Sequence, residues 1–230
     1  MKPARADAVP VSIGAARSSS RLADYVELAK VRLNALVVAS SAAAFYLGAT
    51  GTIDWWRMLF AIGGTALVAG AAATLNQVYE RETDGLMFRT RTRPLPDGRV
   101  SPFEACVFGI ACAALGIALL ALLANAPAAL LAAATLVIYL TIYTPLNRRS
   151  SSSTLVGAVP GALPPLIGWV ASHESLSAGG AALFAIVFFW QIPHFMAIAW
   201  MYRDDYARAG FPMLPVIEPD GRRTARNAQL

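Results

Sequence analysis

The sequence has 230 residues, is 57% hydrophobic, and carries charge at only 14% of its positions, where a soluble domain carries about 25%. That balance excludes an ordinary soluble domain. The formal charge of +5 is no sign of nucleic-acid binding, because no basic, aromatic-interleaved segment lies outside the apolar stretches.

Residues 1–20 are polar and small, with no apolar core for a secretory signal. They read as a disordered cytoplasmic tail ahead of one membrane domain over 21–230. Six apolar runs follow, at about 33–53, 57–79, 103–123, 127–145, 154–172 and 180–202. Each has the length of roughly 20 residues that crosses a bilayer as a helix. The expected fold is therefore all-α, a polytopic transmembrane bundle of six helices. Trp55 and Trp56 precede Arg57 at one interface, where aromatic anchors are common. Cys106 and Cys112 share one apolar run and read as small packing residues.

The basic residues orient the chain. Eighteen of the 19 Lys and Arg fall in the N-terminal segment, in the connections after the second and fourth runs, or after the sixth. Only Arg57 falls on the other side. The positive-inside rule makes the basic side cytoplasmic, with both termini on it. A bacterial inner membrane is the expected location, ahead of the mitochondrial inner membrane.

The second run ends in NQVYERETDGLMFRTRTRPLP, residues 76–96. Asn76, Glu80 and Asp84 are spaced four apart. Four helical residues turn about 400°, so the three drift only about 40° per step along one face. A stripe of amide and carboxylate oxygens suits a hard divalent cation. Arg89, Arg91 and Arg93 follow in the next loop, and a metal with arginines beside it binds an oligophosphate. Asn76 lies deepest in apolar sequence, where polar groups are costly and usually functional. Glu82 and Arg91 read as ordinary interfacial charges.

The sixth run ends in WQIPHFMAIAWMYRDDYARAGFPMLPV, residues 190–216. Asp204 and Asp205 bring carboxylates from a second helix to the same membrane face, with Arg203 beside them. Together the two clusters can grip a diphosphate through bridging metal. Gln191 and His194 are expected deeper and buried, beside a helix interrupted at Pro193. The Gly- and Pro-rich stretch 143–169 reads first as close helix packing, with Tyr143 and Arg148 within reach of a ligand.

These residues resemble the UbiA family of intramembrane prenyltransferases. Asn76, Glu80 and Asp84 look like its first acidic motif, and Met87, Arg89, Thr90, Arg93, Pro94 and Leu95 continue it. Trp190, Gln191, Pro193 and His194 look like a second signature, followed by Arg203, Asp205, Tyr206, Ala209, Gly210, Pro212 and Met213. The stretch 164–169, PPLIGW, fits as well. The Trp-Gln-x-Pro-His segment points to the heme-directed branch.

The resemblance implies Mg²⁺ held by Asn76, Glu80, Asp84, Asp204 and Asp205. Arg89, Arg93, Lys30 and Arg203 would take phosphate charge, and His194 and Gln191 would contact heme. Farnesyl diphosphate and heme B would be the substrates and heme O the product, with a heme A synthase or oxidase-assembly protein as partner. The family typically has nine membrane helices against six apolar runs here, and Val31 stands where it commonly has proline. A transferase acting on a phenolic or quinone-precursor ring, a transporter, and an inactive truncated homologue are the alternatives.

Overall fold

The computed structural model describes residues 20–228. The expected N-terminal tail lies outside them except for Ser20, whose hydroxyl accepts from the Ala23 amide and starts the first helix. Among the described residues the fold is all-helical. In chain order come α1 (Arg21–Leu28), α2 (Val31–Gly48), α3 (Trp55–Leu86), α4 (Pro102–Leu123) and α5 (Ala126–Val137). A π-helical turn (Ile138–Tyr143) leads into α6 (Thr144–Asn147), and α7 (Ser153–His173), α8 (Ala178–Met201), α9 (Arg203–Arg208), α10 (Leu214–Ile217) and α11 (Arg222–Asn227) follow.

Among the described residues six spans are long and apolar enough to cross a membrane: α2, α3, α4, α7, α8 and the composite Ala126–Asn147. Two differ from the expected runs. The first ends at Gly48, because the apolar residues after it belong to a turn through Gly51 at φ +95°. The second continues to Leu86. Its 32 residues extend about 48 Å, well beyond a hydrocarbon core of about 30 Å. Its acidic end therefore stands at the membrane boundary.

Local chemistry sets the ends. Asp54 accepts from the Arg57 amide at 2.9 Å and begins α3. Ser101 and Glu104 form a reciprocal capping box around α4, with Pro102 in its first turn. On the Trp55–Trp56 side, Arg57 pairs with Glu174 at 2.6 Å, and Asn125 donates to the Val170 carbonyl at 2.8 Å.

α7 is the most enclosed span and supports the expected packing role of the 143–169 stretch. At Gly168 it meets α2 backbone to backbone. A Cβ there would lie 2.0 Å from the Ser41 carbonyl oxygen. Pro160, Pro164 and Pro165 all lie inside α7 without breaking it. The expected interruption at Pro193 is likewise absent, since α8 runs through it unbroken. Proline removes one N–H from the ladder, but the flanking turns hold the helix. Residues after 216 form α10's end and the short α11, with Gly221 set close against the Trp200 ring.

Candidate active site

The α3 stripe faces inward. Asn76, Glu80 and Asp84 are 4%, 8% and 1% exposed. Their spacing would allow this, but the partners come from the composite fourth span. Asn76 Nδ2 donates to Thr144 Oγ1 at 3.2 Å, and Thr144 in turn donates to the Tyr139 carbonyl at 2.8 Å. Asn147 Nδ2 donates to Glu80 Oε1 at 3.3 Å. A π-helical turn widens the helix and shifts the facing of the residues after it. Thr144 and Asn147, one turn apart, meet the α3 stripe just after that turn.

Asn147 keeps its acceptor unused, because its Oδ1 is buried without a hydrogen bond. It borders a cavity of about 50 Å³ lined also by Tyr143, Ser153 and Tyr206. Thr144 and Asn147 were not among the residues expected from sequence. Their signal was two polar side chains three apart at the basic end of the fourth run, next to Tyr143 and Arg148. Tyr143 does face this region, whereas Arg148 is exposed and lies over the Tyr79 ring at 5.9 Å.

Beyond α3 the chain folds back over the stripe. Thr90 Oγ1 donates to the Asp84 carbonyl at 2.8 Å, and Arg93 Nη1 donates to Asp84 Oδ2 at 2.7 Å. Lys30 joins from the α1–α2 junction, where its φ of +47° is left-handed. Removal from water, with Arg93 and Arg89 acting the same way and Asp84 and Glu80 opposing them, lowers its pKa to about 8 in all. Lys30 therefore shares one electrostatic field with both carboxylates and both arginines. At neutral pH it is still protonated.

Asp205 comes to this loop by another route than expected. Its carboxylate accepts the Phe88 and Arg89 amides at 3.1 and 3.2 Å and the Arg208 guanidinium at 2.6 Å. Desolvation pushes the carboxyl up, but the Arg89 and Phe88 amides and Arg208 outweigh it and hold its pKa below the ordinary value. Arg89 lies over the Tyr202 ring at 4.7 Å. So α9 is latched onto the loop that follows α3.

Four expected site residues sit elsewhere. Asp204 is 88% exposed and lies 3.7 Å from Arg203, because its neighbour Asp205 takes the inward position and adjacent helical residues point about 100° apart. Arg203 lies over Trp200 at 4.9 Å. Gln191 is buried as expected but serves packing. Its Nε2 donates to the Val187 and Ala158 carbonyls, and its Oε1 fills the space a side chain at Gly161 would need. His194 is exposed, with its ring stacked on Trp190 at 4.8 Å and 15°. The expectation of a buried imidazole beside Gln191 is corrected: the two lie about 60° apart around α8, and only Gln191 faces α7. Glu82 is 77% exposed and pairs with Arg81, an ordinary surface role.

Among the described residues no three His, Cys, Asp or Glu side chains converge as a ready metal cluster. Magnesium does not require one. It keeps several waters and binds through one or two carboxylates together with substrate phosphates. Buried Glu80 and Asp84 beside the Asn76 amide supply that hard oxygen set, and cations stand next to it. The donor chemistry fits Mg²⁺ carried by an oligophosphate.

Residues 36–230 match the profile described as the UbiA prenyltransferase family. The chain belongs to that family. It is 47% identical over 212 residues to a protoheme IX farnesyltransferase of Solibacter usitatus (strain Ellin6076), covering 88% of this chain and 73% of that one. A protoheme IX farnesyltransferase of Salinibacter ruber (strain DSM 13855 / M31) is 50% identical over 202 residues, covering 88% and 71%. Among solved structures, a UbiA homolog from Archaeoglobus fulgidus bound to GPP and Mg2+ superposes with a TM-score of 0.70 at 20% identity, over 90% of this chain and 72% of that one. The last likeness supports the UbiA fold.

Proposed function

We propose that this UbiA-family chain transfers the farnesyl group of farnesyl diphosphate to a vinyl group of heme B, giving heme O. The observation that carries the reading is the buried Asn76–Glu80–Asp84 stripe with Lys30 and Arg93 beside it, in a chain nearly half identical to protoheme IX farnesyltransferases. Asn76, Glu80 and Asp84 would hold Mg²⁺, with Asp205 completing the loop over them. The ion, when bound, supplies Lewis acidity toward the departing diphosphate.

The chain's own residues do the rest. Lys30, Arg93 and Arg89 bind the phosphate oxygens. Arg93 already reaches Asp84, so an arriving phosphate offers its guanidinium a second anion. A phosphate beside Lys30 also favours its protonated form against the desolvation that depresses it. The apolar spans accept the farnesyl tail and keep water from the allylic carbon while its C–O bond breaks. The heme vinyl group attacks that carbon, and one water then adds to the resulting cation with release of a proton. His194 and Trp190 present a flat, exposed pair on α8 and are the proposed heme contact, since imidazole suits iron.

The clustering of basic residues in these loops supports an orientation in which this side of the bundle, with both ends of the chain, faces the cytoplasm of a bacterial inner membrane. A heme A synthase or an oxidase-assembly protein is the proposed recipient of the product. The test supplies purified protein in lipid nanodiscs with farnesyl diphosphate, Mg²⁺ and either heme B or 4-hydroxybenzoate. Heme O formation with no prenylated phenol is expected. Prenylation of the phenol alone would replace this reading with the quinone-precursor one.

A further inference from the structure

We infer that Arg99 and Asp24 form a positioning couple that holds helix α1 and thereby sets Lys30 at the diphosphate site; this rests on the proposed role of Lys30. Arg99 lies at the end of the loop between α3 and α4, and its guanidinium gathers that loop and α1 together. Nη1 donates to Asp24, Nη2 to Glu27 at 3.3 Å and to the Thr92 carbonyl at 2.8 Å, and Nε to Asp97 at 2.9 Å. Asp24 is 3% exposed, a burial that carboxylates seldom show unless paired. The Arg99 and Val100 amides both donate to the Pro94 carbonyl, at 2.9 and 3.1 Å, which closes the turn that directly follows Arg93.

The far end of α1 is tied to the active-site helix itself. Gln77, next to Asn76, donates to the Leu28 carbonyl at 2.7 Å, and Leu28 packs with Leu95, Val100 and Ala105. Lys30 follows two residues later in the left-handed region. That conformation is unfavourable for a lysine and persists only where its surroundings determine it. The Lys30 amide donates to the Glu27 carbonyl at 3.0 Å, and Asn34 Nδ2 donates to the Ala29 carbonyl at 2.7 Å. So Arg99 grips the middle and last turn of α1, Gln77 holds its final carbonyl, and Lys30 follows within the electrostatic field of Arg93, Asp84 and Glu80. In this arrangement Arg99 acts on the site through Lys30.

The sequence offers a clean probe, since Lys2 and Lys30 are its only lysines. Detergent-purified full chain is acylated with an amine-reactive reagent, and labelling at Lys30 is followed by mass spectrometry with Lys2 as internal reference. In the wild type, Lys30 labels slowly and Mg²⁺-pyrophosphate slows it further. Arg99→Gln and Asp24→Asn should each speed Lys30 labelling and abolish most of the pyrophosphate protection. Each should also raise KM for farnesyl diphosphate by about tenfold, the usual effect of losing a charged hydrogen bond, with KM for heme unchanged. Arg99→Lys should restore part of both. In a Lys30→Gln background, Arg99→Gln should add nothing further. Additive effects in that double variant, or unchanged labelling in both Arg99→Gln and Asp24→Asn, would overturn the inference while leaving Lys30 at the site. An unchanged KM in Lys30→Gln alone would remove Lys30 from the site and overturn both. Asp24→Asn keeps the side chain's shape and an acceptor, so it answers the question even where Arg99→Gln does not yield folded protein.

Discussion

Asp84→Asn should lower prenyl transfer by about 10²–10³-fold, the scale on which loss of a charge-stabilising group at a reacting centre acts. The carboxylate is 1% exposed and its Oδ2 lies 2.7 Å from Arg93. The substitution preserves shape but removes the negative charge that would hold a divalent cation. It also leaves the Arg93 guanidinium facing a neutral amide, so the site becomes more positive and binds free diphosphate without activating its departure. The effect should therefore appear mainly in kcat, with Mg²⁺ dependence weakened. Thermal stability of the variant needs measuring alongside, because Arg93 loses its partner. At 19% exposure, its side chain can turn toward water and limit that cost. Glu82→Gln is the control. It changes an equally charged residue two positions away on the same helix, but one 77% exposed, and should stay within about twofold of wild type because surface pairs are worth little. Comparable activity in Asp84→Asn and Glu82→Gln would remove Asp84 from the reacting centre.

Gly168→Ala should be the most damaging small substitution to the bundle itself. The added Cβ would lie 2.0 Å from the Ser41 carbonyl oxygen and 2.7 Å from its carbonyl carbon. Neither atom can swing aside as a side chain does, so α2 and α7 must separate along their contact. Overpacking in a well-filled interior costs about 1–3 kcal/mol and more where backbone must move. α7 is the most enclosed span, and its separation would be felt by its other neighbours. A large fall in the thermal midpoint in detergent is the expected result. Gly63→Ala is the matched control, since nothing lies within 4 Å of its Cβ position. It should be neutral or slightly stabilising, as alanine favours helix by up to about 1 kcal/mol. Equal midpoints for the two variants would show that α2 and α7 do not meet as closely as Gly168 and Ser41 indicate.

The span count was legible because bilayer thickness imposes one length on every crossing helix. The inward stripe of Asn76, Glu80 and Asp84 was legible because a four-residue spacing fixes a helix face regardless of what packs against it. What packs against it was not legible. Thr144 and Asn147 reach the stripe through a π-helical turn, and nothing in the hydropathy of residues 126–147 distinguishes that turn from regular helix. Asp204 and Asp205 are adjacent and chemically alike, yet one is solvated and the other caps the Phe88 and Arg89 amides, a distinction set by the packing of α9 on a distant loop. His194 was expected to be buried from its apolar surroundings, but a uniformly apolar span gives no periodicity from which to choose its inner face. Gln191 reveals that face only through the Ala158 carbonyl and the space left at Gly161.

The most direct test of the central claim, that the α3 stripe is a metal-assisted diphosphate site, is equilibrium binding of radiolabelled farnesyl diphosphate to the purified wild-type chain in nanodiscs. The measurement is made with Mg²⁺ and again with EDTA, with heme omitted so that no turnover intervenes. Two buried carboxylates beside three cations should bind the diphosphate weakly alone and at least about tenfold more tightly with the cation, the least that one added charged contact provides. Equal affinity in Mg²⁺ and in EDTA would contradict the account.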